Sequence, residues 1–266
     1  MLIGGSSLAG RWIASGLGNG CQIVPTAGHH IPENGYQLAA EEPDKLTEIL
    51  DHENPEIVVS SIRGDYQAQM RFHKRLAEWL AEKEKRLLYV STANVFDGNL
   101  SRPWTEYDPP VPASDYGRFK RDCETMLEKL LGNRLAIFRL APVWSADCPR
   151  VRRLEQHSRS GEPYQTYPNY LINVTPAKQI GAYAKYVLDH KLHGIFHVGT
   201  TDTVNYFSFE KMVCDTLRIK PPQFAADTAD GDVCFAILPA RKEIPSGLQM
   251  TVSEALFALK QERETA

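Results

Sequence analysis

The chain has 266 residues, 42% of them hydrophobic and 24% charged, and a formal net charge of −3. This is globular composition, long enough for one large domain or a domain with a smaller lobe, and it excludes a nucleic acid or a membrane surface as the main partner. No run reaches the ~18 apolar residues of a membrane span, and the N-terminus MLIGGSSLAG lacks the basic segment and apolar core of a signal peptide. Five cysteines (Cys21, Cys123, Cys148, Cys214 and Cys234) are scattered, with no Cys-x-x-Cys among them. They read as free thiols of a cytoplasmic protein rather than as a disulfide or zinc framework. The His residues show no ligand spacing either, so no metal site is expected.

Met1-Leu2-Ile3 followed by Gly4-Gly5-Ser6-Ser7-Leu8-Ala9-Gly10 reads as a short strand, a tight turn and a helix start. Backbone N–H groups at such a turn suit a pyrophosphate. The next strand is predicted over Cys21–Val24, closing at Pro25–His30. No Asp or Glu stands there for ribose hydroxyls, and no Arg or Lys replaces one. His29 or His30 is left as a candidate for a 2′-phosphate, which inclines the reading towards NADPH. A helix over Pro43–His52 leads to a strand over Glu56–Ser61 and then to Ser60-Ser61-Ile62-Arg63-Gly64. Arg63 is either a phosphate or substrate contact or a surface residue. From Tyr66 to Lys85, Met70, His73, Leu76, Trp79 and Leu80 recur at helical spacing and form a core stripe.

The run Leu87–Val90 reads as a strand buried on both faces. It ends in the hydroxyl pair Ser91-Thr92, a Pro-rich loop spans Asp108–Pro112, and Tyr116 opens a helix that also carries Lys120. Residues i and i+4 are neighbours on a helix, so a cation is expected beside the phenol, favouring the phenolate and lowering its pKa. A Tyr tuned in this way can pass a proton to or from a reacting oxygen, and the Thr92 hydroxyl can hold the same oxygen. Phe119, Cys123, Met126 and Leu130 continue that helix. A strand over Arg134–Leu140 and the turn Ala141–Trp144 follow. The alternation predicts an α/β fold with a parallel sheet covered by helices on both faces. Its ligand crevice then lies outside the carboxyl ends of the strands, near Gly4, Thr92 and Val143.

Beyond Trp144, Arg150, Arg152, Arg153 and Arg159 form a basic cluster with His157, either a grip for a diphosphate or a solvated helix face. Tyr164, Tyr167 and Tyr170 offer flat surfaces for a base or sugar. Ile180, Tyr183, Ala184 and Val187 share one side of a helix, Gly194–Gly199 reads as a last strand and turn, and Ser208 is placed to cap a helix bearing Phe209, Met212, Val213 and Leu217. The charged tail Gln261–Ala266 is expected to fray.

Ser91-Thr92-x-x-Val95-Phe96-Asp97-Gly98, then Glu106-x-Asp108-Pro109-Pro110-x-Pro112, then Tyr116-Gly117-x-x-Lys120 and Glu124 resemble the extended short-chain dehydrogenase/reductase superfamily. Within it, they are most similar to the dTDP-4-dehydrorhamnose reductase family. The resemblance implies a Rossmann-like doubly wound parallel sheet over residues 1–143, with 172–200 returning to it, and a small interleaved C-terminal lobe from 144–171 and 201–266. It implies Thr92, Tyr116 and Lys120 as the catalytic triad, with Tyr116 the proton donor. Cofactor contacts would fall on Gly4, Ser6, Ser7, Leu8, Gly10, Ser60, Ser61, Ser91, Tyr116, Lys120, Ala141 and Val143, with Ser7 standing where the family has glycine. Substrate contacts would fall on Val95, Phe96, Trp144, Arg153 and Arg241. Gln179 stands where relatives carry an acidic residue. The implied activity is NAD(P)H-dependent reduction of a nucleotide-linked 4-keto sugar, and a homodimer built on a helix pair is common among such relatives. Two alternatives accompany it. One is a catalytically silent NAD(P)-binding regulatory subunit, favoured by Ser7, the short first strand and the missing acidic residue after the second strand. The other is a sugar-nucleotide epimerase, which would retain its cofactor through the cycle.

Overall fold

The computed structural model describes residues 1–228 and 231–265. Its centre is a parallel sheet of β1 (Leu2–Ile3), β4 (Ile57–Ser60), β5 (Arg86–Thr92), β6 (Leu135–Leu140) and the Gly194–Val198 strand, in that spatial order. The short strands β2 (Thr26–Ala27) and β3 (Tyr36–Gln37) pair with each other and extend the sheet past β1 through a Leu2–Pro25 bridge. The chain therefore leaves β1 towards β2 on one side and reaches β4 on the other. The strand order reverses at β1, and a crevice opens at that point.

The strand expected at Cys21–Val24 is displaced to Thr26–Ala27. A 3₁₀ turn at Gly18–Gly20 prolongs the exit from the first helix. Val24 gives the sheet only its carbonyl, which accepts from Leu2 N at 2.9 Å, and Pro25 has no N–H to give.

Helices α1 (Leu8–Leu17), α2 (Pro43–Glu53), α3 (Tyr66–Glu82), α4 (Asp115–Leu131), α5 (Pro149–Ser160), α6 (Ala177–Asp189), α7 (Tyr206–Leu217) and α8 (Val252–Thr265) complete the fold. Ile3, Val58, Leu87, Tyr89 and Ile137 face α2, α3 and α4, whereas Leu2, Val59, Leu88, Val90 and Phe138 face α1 and α6. Alternation along each strand feeds both cores, which is why the strands read as unbroken apolar runs. Helices α1 and α6 cross backbone against backbone. A Cβ added to Gly16 would come within 2.4 Å of the Gly181 backbone, and one added to Gly181 within 2.3 Å of the Trp12 carbonyl.

A separate apolar cluster joins Trp144, Val151 and Leu154 to Phe209, Val213, Val252 and Leu259. Asn205, not Ser208, caps α7: its side chain accepts from Ser208 N at 3.0 Å. The tail expected to fray is helical to Thr265, and Ala266 lies outside the described residues. Among the described residues, no helix is long and apolar enough to cross a membrane, and no His, Cys, Asp or Glu cluster is disposed to hold a metal ion.

Candidate active site

The loop between β1 and α1 keeps the form that a pyrophosphate needs. Gly4 has φ +76°, and a Cβ there would lie 2.8 Å from the backbone of Ser61 and Ile62. Only glycine lets β1 and β4 end this close together. Ser7 fills the N-cap of α1: its Oγ accepts from Gly10 N at 2.9 Å and lies 3.0 Å from Ser61 Oγ. The serine that replaces glycine is thereby absorbed as a helix cap. It leaves the amides of Leu8 and Ala9 facing outwards at the positive end of the helix dipole. Ser61 Oγ also meets Gly4 O at 3.0 Å, which ties the two loops together. The residues present thus fit a dinucleotide. Ser60 is not among those that can touch it, because its hydroxyl is buried against His73 Nε2 at 2.9 Å.

The carboxyl end of β5 brings Thr92 to α4. Ser114 caps that helix by accepting from Gly117 N at 3.0 Å, which sets Tyr116 in its first turn. The Thr92 hydroxyl donates to Asn94 Oδ1 at 3.0 Å and accepts from Asn94 N at 3.3 Å. Burial raises the Tyr116 pKa, while Thr92 and the charge of Arg63 act in the opposite direction. The cation expected to lower it, Lys120, instead lies over the Tyr89 ring, 4.6 Å from its centroid. Its Nζ donates to Tyr89 Oη at 3.1 Å and to Val90 O at 3.0 Å, and is buried. Burial brings the ammonium down to about 8; Cys123 and Glu124 resist this, and Arg63 pushes it further down. Spacing on the helix is therefore right, but the lysine's reach carries it into the sheet, where carbonyl and phenol oxygens replace lost water. Tyr66, half exposed, lies with its ring centroid 5.9 Å from that of Tyr116 and stacks on Phe119 at 4.9 Å.

Ser91 does not face the crevice. It donates to Glu124 Oε1 at 2.5 Å, and Glu124 forms a buried ion pair with Arg139 at 2.7 Å. Its place in β5 gives it the opposite orientation from Thr92, as alternation along a strand requires. Ala141 is buried, with its carbonyl accepting from Thr175 Oγ1 at 3.1 Å. Val143 is partly exposed, and its carbonyl accepts from Arg150 Nη1 at 3.1 Å.

The substrate contacts implied by resemblance do not gather here. Val95 and Phe96 are sealed inside, Phe96 stacking on Trp104 at 5.3 Å. Trp144 is buried edge-on against Phe209 at 5.1 Å. Arg241 lies at the opposite, amino end of the Gly194–Val198 strand. It pairs with Glu243 at 2.8 Å and donates to Ile195 O at 3.0 Å, so its charge is already spent within the fold. Arg153 is exposed over the Tyr164 ring at 5.5 Å, near the buried Glu210 that takes hydrogen bonds from Tyr164 and Thr166. Of the tyrosines, Tyr164 is buried, and Tyr167 and Tyr170 tilt together at 5.2 Å. Residues that sequence reading passed over as core, Tyr89 and His73, form the polar floor under Lys120, with ring centroids 5.0 Å apart. The signal was present in Tyr89, a lone phenol in an otherwise aliphatic buried strand.

The family model described as the RmlD substrate binding domain matches residues 1–263. The beta subunit of methionine adenosyltransferase 2 of Rattus norvegicus is 24% identical over 216 residues, 76% of this chain and 63% of that protein. The match therefore spans less than two thirds of that relative. A probable low-salt glycan biosynthesis reductase of Haloferax volcanii, Agl14, is 26% identical over 148 residues, 53% of this chain and 49% of that one. A dTDP-4-dehydrorhamnose reductase of Bacillus anthracis, solved in complex with NADP, has the same fold, with a TM-score of 0.83 at 15% identity over 98% of each chain.

Proposed function

We propose, since this chain belongs to the RmlD substrate binding domain family, that it is an NAD(P)H-dependent reductase of a carbonyl carried by a nucleotide-linked 4-keto sugar. The observation that carries this reading is that Thr92, closing β5, and Tyr116, in the first turn of α4, lie at the same carboxyl edge of the sheet as the glycine loop after β1. The amides of Leu8 and Ala9, with the hydroxyl of Ser6, would hold the diphosphate of the cofactor, Ser7 would keep the helix end in place as its cap, and Val143 would line the reacting end. A bound nicotinamide supplies the hydride. The chain supplies everything else. Burial keeps the Tyr116 phenol protonated at neutral pH, as a proton donor to a carbonyl oxygen must be. Thr92 orients that oxygen. Lys120, held by Tyr89 and Val90, presents an ammonium for ribose hydroxyls and for the charge left on Tyr116 after proton transfer.

Tyr116→Phe removes the donor and little else. We expect turnover of a nucleotide-linked 4-keto sugar to fall by about 10²-fold or more, while the NADPH dissociation constant, read by fluorescence, changes by less than about twofold. Turnover retained in this variant would rule out the assigned role.

A second reading, a binding subunit of the same fold without turnover, draws on Ser7 and on the likeness to methionine adenosyltransferase subunits. It predicts NADPH binding to the wild-type protein with no consumption of any 4-keto sugar.

A further inference from the structure

Tyr116 shares the start of α4 with a second tyrosine, distant in the chain. The ring of Tyr66, the first residue of α3, packs against it with centroids 5.9 Å apart and planes 36° from parallel, within the range at which aromatic rings attract. Tyr66 is itself held. Its ring lies 4.9 Å from that of Phe119 and within 5° of parallel to it, and Phe119 is buried in the core between the sheet and helices α2, α3 and α4. The backbone is fixed as well. Asp65 caps α3 by accepting from Ala68 N at 2.9 Å, and Gly64 O accepts from Gln69 Nε2 at 2.7 Å. Ile62 is buried, and Ser61 Oγ donates to Gly4 O at 3.0 Å. One short, anchored segment therefore runs from the glycine loop to the ring beside Tyr116. Tyr66 is nevertheless 40% exposed, so it stands at the surface where α3 and α4 begin, and the core takes up only part of its ring.

We infer that Tyr66 is a positioning residue, whose ring is the fixed wall that holds the Tyr116 phenol in the orientation from which it gives up its proton. The inference rests on the reductase reading above. A long side chain on a helix has two χ1 wells open to it, and one on an open face passes between them within picoseconds to nanoseconds. Proton transfer needs heavy atoms about 2.6–3.2 Å apart, and a freely turning phenol spends little of its time there. A ring already stacked on Phe119 confines Tyr116 before any ligand arrives, so the ordering is complete when the reaction begins. The contact is made ring to ring, so it does not depend on the Tyr66 hydroxyl. The same ring keeps water from one side of the Tyr116 phenol, in line with the rise in its pKa on burial.

The test compares Tyr66→Ala, Tyr66→Leu and Tyr66→Phe in the full chain, with NADPH and dTDP-4-dehydrorhamnose as the probe. In Tyr66→Ala kcat should fall by about tenfold to a hundredfold, the usual effect of a misplaced reacting group, while KM and the NADPH dissociation constant stay within about twofold of wild type. Tyr66→Leu, which refills part of the space, should fall between, and Tyr66→Phe, which keeps the ring, should recover most of kcat. Nitration by tetranitromethane at pH 8, read residue by residue by mass spectrometry, should modify Tyr116 faster in Tyr66→Ala than in wild type or Tyr66→Phe. The leucine and phenylalanine variants carry the same comparison if the alanine variant does not fold. Wild-type kcat in Tyr66→Ala and Tyr66→Leu, or unchanged nitration of Tyr116, overturns the inference and leaves the reductase reading standing. An equal loss of kcat in Tyr66→Phe overturns it by assigning the effect to the hydroxyl, and a rise in KM at constant kcat by making Tyr66 a substrate contact. Absence of turnover by a wild type that binds NADPH overturns the reductase reading, and this inference with it.

Discussion

Glu124 and Lys120 leave the buried side of α4 one turn apart, yet Glu124 meets Arg139 at 2.7 Å and the Ser91 hydroxyl, whereas Lys120 meets only the neutral oxygens of Tyr89 and Val90. A buried charge is costly unless it is paired and hydrogen-bonded. The carboxylate has its partner inside the fold, fastening α4 to β5 and β6. The ammonium has none, and its pKa comes down to about 8 as a result of burial. Charge that holds the fold is neutralised within it, and the charge left unpaired is met only by neutral oxygens, which hold up its pKa less well than an opposite charge would.

The largest test of this contrast is Glu124→Gln, which strands the Arg139 guanidinium. Urea unfolding should show a loss of about 3–5 kcal/mol, the usual effect of removing one member of a buried pair. Replacing both partners together, with Glu124→Leu and Arg139→Met, should recover most of it. A neutral single variant would break the comparison. Lys120→Met should abolish turnover and reveal the opposite behaviour in a pH series. The folded lysine gives up its proton near 8, the unfolded one near ~10.4. Between these values the unfolded chain binds more protons, so stability of the wild type rises with pH. Relative to Lys120→Met it should gain about 2 kcal/mol from pH 8 to 10; a flat difference would mean that no charge is buried there. The smallest effect belongs to Ser91→Ala, which should cost about 1.5–3 kcal/mol by removing a hydrogen bond to a charged group while leaving NADPH affinity unchanged. A weakened cofactor would return Ser91 to the crevice.

Much of this was legible in the sequence. The apolar runs at Leu87–Val90 and Arg134–Leu140 lie in strands of the parallel sheet, and the Tyr-x-x-x-Lys pair opens a helix as expected. What spacing does not give is the direction in which a long side chain leaves, or a partner distant in the chain. Lys120 finds Tyr89 and Val90 across 31 and 30 residues, and Arg241 finds Ile195 across 46. Ser91 and Thr92, adjacent and chemically alike, are sent to opposite sides by strand alternation alone. Trp144 and Phe96, large enough to suggest a ligand wall, are claimed by local cores. The strand placed at Cys21–Val24 failed because apolar composition there outweighed the effect of Pro25 on the ladder.

The glycine contact between α1 and α6 reverses the usual map of where change is tolerated. The cradle at the front accepted a serine at position 7, because a hydroxyl there simply becomes a cap. The back of the same helix has no such latitude, since a methyl group at Gly181 would run into the Trp12 carbonyl. It would act as a shim, tilting α1 and carrying Leu8 and Ala9 off their bearing. Because α6 begins at once after Thr175–Pro176, the strand joined to Val143–Trp144, the same shim would misalign both walls of the crevice together.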